Sequence, residues 1–236
     1  MNENEARYEI CRVGKSLFDR GYVHSTAGNI SVALEEADGG GFLITPTDAC
    51  LGFLEPQTLA KLDENLVQIS GDRASKTILL HQKIYETARM LGHDVRCVLH
   101  THSTHSVAMS LQPASRSSPS FVSGISRTEL LPPITPYFVM KVGHVPLIEY
   151  RRPGDPLVAD EVAQVMQQYA NCSLTIRAVM LARLGPVVWH HSPAAAMATL
   201  EELEETARLC LQSQPTPTPL SSADIQSLHD TFGASW

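Results

Sequence analysis

Apolar residues recur along the chain first at helical and then at strand spacing, with glycines, prolines and short polar runs marking each change. From about Glu3 to Arg20, Tyr8, Ile10, Val13 and Leu17 follow helical spacing and Gly21 closes the run, which predicts an amphipathic helix. Asn29-Ile-Ser-Val-Ala-Leu34 and Gly41-Phe-Leu-Ile-Thr45 are β-prone, and the Glu35-Glu-Ala-Asp-Gly-Gly40 between them signals a hairpin. Thr45-Pro-Thr-Asp48 then reads as a polar turn. A second helix is predicted from about Ser75 to Leu91, with Ile78, Leu79, Ile84, Ala88 and Leu91 on its apolar face and Gly92 as its stop.

Farther along, Val95-Arg-Cys-Val-Leu-His100, Val145-Pro-Leu-Ile-Glu-Tyr150, Ala178-Val-Met-Leu-Ala182 and Pro186-Val-Val-Trp-His190 have strand length, with a helix expected from about Pro156 to Tyr169. Ser192 and Pro193 open another helix, to about Cys210, whose Met197, Leu200, Leu203 and Leu209 face the core. The run Gln214-Pro-Thr-Pro-Thr-Pro219 reads as an extended linker to a short terminal helix. Connections such as the first hairpin are too short for parallel crossovers, so the pattern predicts an α/β sandwich with a largely antiparallel sheet.

Composition narrows the class. The chain has 236 residues, of which 43% are hydrophobic and 18% charged, the make-up of a globular domain. A net charge of −7 offers no basic stripe for nucleic acid, although an anionic small molecule can still be met by a local pocket. No apolar run approaches the roughly 18 to 20 residues of a membrane span, and the start lacks a secretory pattern, so a cytosolic protein is expected. Cys11, Cys50, Cys97, Cys172 and Cys210 are odd in number and widely spaced, which predicts reduced, mostly packed thiols.

Histidine carries the first chemical signal: of ten, His100, His102 and His105 fall within six residues. In a strand, positions i and i+2 share a face, so His100 and His102 would project toward one point as half of a zinc site, or as exposed or hydrogen-bonded histidines at a strand end. His105 would cap a helix starting near Ser103, or orient substrate. The turns His24-Ser-Thr-Ala-Gly-Asn-Ile-Ser31, Thr45-Pro-Thr47 and Ser70-Gly-Asp-Arg-Ala-Ser-Lys76 are rich in hydroxyls and amides, and the last leads into a helix start, where free N–H groups suit a phosphate. Each also has the composition of an ordinary turn.

The succession Gly28-Asn-Ile-Ser31, Thr45-Pro-Thr47, Ser70-Gly-Asp72, His100-Thr-His-Ser-Thr-His105, Pro136-Tyr-Phe-Val-Met-Lys-Val-Gly143 and Glu201-Glu-Leu-Glu-Glu-Thr206 resembles the class II aldolase and adducin-head family over about residues 5 to 211. Within it, the 3-oxo-tetronate 4-phosphate decarboxylases are most similar. The resemblance implies one domain over 1–211, a proline-rich linker and short segment over 212–236, and a three-layer α/β/α fold with a central, mostly antiparallel sheet. It also implies a homotetramer with sites between neighbours, a bound Zn2+ and a phosphorylated small sugar acid as substrate.

By the same resemblance His100 and His102 match two zinc ligands. Gly28, Asn29 and Thr45 match phosphate-binding turns, Ser75 and Lys76 match helix-start phosphate contacts, and Tyr137 matches a proton-donating tyrosine that reaches the site from a neighbouring subunit. Two positions depart from the pattern. Thr77 stands where the family has an acid/base glutamate, and Leu184 stands where it has its third zinc histidine. Asp48 brings a carboxylate to a turn that usually carries small residues. His190 and His191 follow Leu184 closely, but they lie at the far end of the next strand. The expected chemistry is decarboxylation to dihydroxyacetone phosphate. The alternatives are an aldolase on another phosphorylated sugar and a non-catalytic binding or structural subunit.

Overall fold

A computed structural model describes residues 1–112, 118–119 (backbone only), 122, 124–213, 215 and 217–236. In chain order it begins with α1 (Glu3–Asp19), β1 (Asn29–Ala33), β2 (Phe42–Ile44), β3 (Ala60–Leu62), β4 (Gln68–Ser70), α2 (Ile78–Met90), β5 (Cys97–His100) and α3 (Thr104–Ser110). There follow β6 (Ser118–Pro119), β7 (Thr128–Glu129), a π-helical turn (Phe138–Val142), β8 (Leu147–Ile148), α4 (Leu157–Asn171), β9 (Ala178–Leu181), β10 (Gly185–His190), α5 (Pro193–Gln212) and α6 (Ser222–Phe232). Eight strands form one sheet in the order β4-β3-β2-β1-β5-β10-β9-β8, while β6 and β7 make a separate ribbon. Every neighbouring pair in the large sheet is antiparallel except β8 with β9.

Strand alternation sorts the core into two layers. Ile30, Val32, Cys97, Leu99, Met180 and Val188 point into a cluster with α1, α3 and α5. Val98, Val179, Leu181, Val187 and Trp189 point the other way, toward α2 and α4. Continuing the alternation puts Asn29, Ser31 and His100 on the α2 side. The three-layer α/β/α sandwich and its mostly antiparallel sheet are as the sequence predicts.

Element by element, the pattern needs correction at a few positions. Tyr8 is 68% exposed because the buried stripe of α1 is Ala6, Ile10, Val13, Gly14 and Leu17, and Tyr8 lies about 200° around the helix from both Ala6 and Ile10. Leu79 is 60% exposed for the same reason: α2 buries Ile78, Leu80, His81, Ile84, Tyr85, Thr87 and Ala88. That helix starts at Ile78 rather than Ser75, so residues 75–77 form its entry turn.

His105 does not cap α3. Glu204 of α5 does, accepting from the His105 N–H at 2.7 Å, the Ser106 N–H at 2.9 Å and the Ser106 hydroxyl at 2.7 Å, and it pairs with His105 Nδ1 at 2.9 Å. Ser192 caps α5 through Ala195 N–H, as predicted. All five cysteines are free thiols, Cys172 on the surface.

Of the expected linker at 214–219, Gln214 and Thr216 lie outside the described residues. Beyond it, the Leu220 N–H donates to Pro133 O at 2.8 Å, and Trp236 stacks on the buried His144 at 4.2 Å. His144 pairs in turn with buried Glu129 at 2.8 Å.

Candidate active site

Two neighbouring strand ends and one helix start converge on a single corner. β1 begins at Asn29, directly across from His100 at the end of β5, and α2 begins on the same side of the sheet. The turn before β1 can press against β5 because residue 28 is glycine. Gly28 has φ of 87°, and a Cβ there would lie 2.9 Å from both His100 O and Val23 Cγ1.

His100 is 7% exposed, and its Nδ1 lies 3.0 Å from the Pro186 carbonyl oxygen of β10. A carbonyl only accepts, so Nδ1 carries the hydrogen and Nε2 keeps its lone pair. Burial, with a smaller contribution from His102, holds the His100 pKa down at about 4. The strand ends at His100, yet the His102 ring remains 5.0 Å away, centroid to centroid. Burial and then His24 lower the His102 pKa. His24 stands edge-on to His102, at 6.4 Å and 73°.

Beside this pair is a cluster of polar side chains at the start of α2. Asn29 Nδ2 donates to Thr77 Oγ1 at 3.3 Å, and Ser75 Oγ donates to the same oxygen at 3.3 Å. Asn29 Oδ1 is buried without a hydrogen-bond partner among the described residues. One turn deeper, His81 Nδ1 meets Ser31 Oγ at 2.7 Å, and that hydroxyl meets Tyr85 OH at 2.7 Å. His81 Nε2 is likewise buried and unpartnered. Full burial, reinforced by His100, pushes its pKa down to about 3.

The sequence candidates therefore separate. Gly28, Asn29, Ser75, Thr77, His100 and His102 gather at the corner. Thr45 is fully buried and its hydroxyl accepts the Ile30 N–H at 3.2 Å, so it braces the β1 end. Lys76 is exposed at the entry to α2, and Asp48 is exposed with φ of 58°. Tyr137 is 61% exposed, and no hydrogen bond or ring contact joins it to His100 or His102 among the described residues.

Leu184 packs partly buried against the α2-side core. Its neighbour Gly185 lies so close to Thr101 that a Cβ would sit 1.9 Å from Thr101 O, which sets the Leu184 turn beside the His100 to His102 segment. His190 is registered with Cys97, whereas Val187 is registered with His100. Three residues of strand, about 10 Å, therefore separate His190 from the corner. Sequence reasoning placed His24 only as the first residue of a hydroxyl-rich turn, and it missed His81. His81 follows Thr77 by four residues, which on a helix is one face, and that spacing was the available signal.

A zinc centre of three histidines, as the resemblance implies, does not fit these residues. His100 and His102 offer two nitrogens, Leu184 offers none, and among the described residues no group of three His, Cys, Asp or Glu side chains is arranged to hold a metal.

Known proteins share this framework. A 3-oxo-tetronate 4-phosphate decarboxylase of Cupriavidus necator is 45% identical, covering 99% of each chain, and one of Escherichia coli K12 is 38% identical over 88% of this chain and 86% of its own. The crystal structure of YgbL from Escherichia coli superposes with a TM-score of 0.80 at 35% identity, covering 96% of this chain and 98% of its own. An L-fuculose 1-phosphate aldolase, at 20% identity, shares the fold with a TM-score of 0.76 over 97% and 96%. The family model for the class II aldolase and adducin N-terminal domain matches residues 8–211, which span the whole sheet and both helical layers around the corner; this chain belongs to that family.

Proposed function

We propose that the chain is a carbon–carbon lyase that decarboxylates 3-oxo-tetronate 4-phosphate to dihydroxyacetone phosphate. One observation carries this reading: a relative of that name is 45% identical along essentially the full length of both chains. The chemistry of the corner supports it. Asn29, Ser75 and the start of α2, with Lys76 at the rim, offer amide, hydroxyl, helix-dipole and ammonium groups suited to a phosphate.

Loss of carbon dioxide from a 3-oxo acid moves the carbon–carbon bond electrons onto the former carbonyl oxygen, and the enediolate must then take up a proton at carbon. His100 is not that acid. Its only N–H is committed to Pro186 O, and burial keeps Nε2 unprotonated near neutrality. In this reading the proton comes from Tyr137 of a neighbouring copy in a cytoplasmic homotetramer, and the exposure of Tyr137 supports that placement. Among the described residues no helix is long and apolar enough to cross a membrane. Thr77 brings no carboxylate, which suits decarboxylation better than aldol cleavage, because no hydroxyl proton has to be removed.

A second reading, a non-catalytic subunit, is favoured by the threonine and leucine at positions 77 and 184. Incubation with synthetic 3-oxo-tetronate 4-phosphate distinguishes the two. Enzyme-dependent release of carbon dioxide matched by dihydroxyacetone phosphate supports the lyase, with KM raised at least about tenfold in Asn29→Ala through loss of a charge-assisted contact. No release above the spontaneous rate leaves the subunit reading.

A further inference from the structure

We propose that Trp236 is a positioning residue for Tyr137 and sets the place of that phenol through the π-helical turn that Tyr137 opens. The proposal rests on the lyase reading, in which Tyr137 delivers a proton at a neighbouring copy's site. Tyr137 is not placed by its own side chain. It is 61% exposed and has no hydrogen bond or ring contact among the described residues, so its direction follows from its backbone, the N-terminal end of the turn Phe138–Val142. π turns are rare and seldom stand apart from an α-helix, so this one takes its shape from the groups that hold it. The Gly143 N–H donates to Phe138 O at 2.9 Å, the Phe138 N–H donates to Thr135 Oγ1 at 3.1 Å, and both α5 and α6 pack against the turn.

Trp236 holds both ends of it. The indole lies 5.9 Å from the ring of Phe138, the fully buried neighbour of Tyr137, and stacks at 4.2 Å and 25° on His144, the residue after Gly143. That seat is itself fixed, because Glu129 Oε1 faces His144 Nδ1 at 2.8 Å and the Tyr169 hydroxyl donates to the same oxygen at 3.0 Å. A Cβ on Gly143 would lie 3.5 Å from Ser235 O, and the Leu220 N–H on Pro133 O ties the start of the tail to the segment before Tyr137. The tail therefore spans the turn from Pro133 to His144. Removing the indole frees the backbone from which Tyr137 projects, and an error of about 1 Å in the place of a catalytic group costs on the order of a hundredfold in rate.

The test is a double-mutant cycle in the full chain, assayed with 3-oxo-tetronate 4-phosphate well below the unfolding temperature of each variant. Trp236→Ala is expected to lower kcat about ten- to a hundredfold with KM unchanged to within about twofold. Trp236→Phe should recover most of the loss, and Trp236→Ala should add nothing once Tyr137 is replaced by Phe. A loss that multiplies with that of Tyr137→Phe, a rise in KM alone, or turnover indifferent to Tyr137→Phe overturns the proposal. A second readout needs no turnover. In protein labelled with fluorotyrosine, the fluorine resonance of Tyr137 is identified by its disappearance in Tyr137→Phe. Trp236→Ala should shift or broaden that line and leave the line of Tyr8, on α1, in place; an unmoved Tyr137 line overturns the proposal. Absence of turnover in the unaltered chain defeats the lyase reading, and the fluorine line still decides whether Trp236 sets Tyr137.

Discussion

Gly28 and His81 set the limits of the corner from opposite sides, one by having no side chain and the other by burying an imidazole. At φ of 87°, Gly28→Ala forces a left-handed residue and a Cβ 2.9 Å from His100 O. We expect a loss of about 1 to 3 kcal/mol, read as a fall in Tm of roughly 2 to 4 °C per kcal/mol for a chain of this size. His81 makes stability depend on pH. Its folded pKa is about 3 against an ordinary 6.5, so between those values the unfolded chain binds the extra proton. The contribution is complete above pH 6.5 and declines by up to about 1.4 kcal/mol per pH unit as the pH falls toward 3. Urea midpoints at pH 7 and pH 5 should differ more in the native chain than in His81→Gln. Equal differences would show that His81 is not buried neutral. The glycine turn and the His100, His102 pair were legible because they are local. The role of His81 was not, since its partner Ser31 reaches it from β1, 50 positions away in sequence.

Among the elements, α3 depends most on a distant residue. It has seven residues and no side-chain cap of its own, and Glu204 on α5, 3% exposed, supplies the acceptors for its first N–H groups. Replacing Glu204 by Ala leaves these donors unmet, at a cost of about 2 to 4 kcal/mol in chemical denaturation. Glu204→Gln should recover part of it. Sequence spacing located α1, α2, α4 and α5 because their buried stripes repeat within the helix. It could not name the α3 cap, because a carboxylate 99 positions away leaves no periodic trace. The misplacement of Tyr8 and Leu79 has a different origin. Each is apolar next to a buried stripe, and only the packed partner decides where the stripe ends.

Across the whole molecule the sheet divides two apolar layers, and the C-terminus returns to them. Trp236 lies against His144 and also against Phe138, at 5.9 Å between rings. Trp236→Ala should cost about 1 to 2 kcal/mol, because a half-buried indole is lost, and the loss should appear in thermal unfolding of the full chain. The largely antiparallel α/β architecture followed from alternation and short connections; the strand order did not, because it depends on which strands pair across the sheet. The anchoring of the tail did not, since a single aromatic after a polar helix carries no pattern. The Glu204 bridge has a kinetic corollary. The amide hydrogens of His105 and Ser106 can exchange with solvent only when α5 lifts from α3, so their protection factors should follow those of α5 rather than those of a surface loop. The segment that holds His100 and His102 in position would then open as part of a large cooperative unit whose order is set from α5.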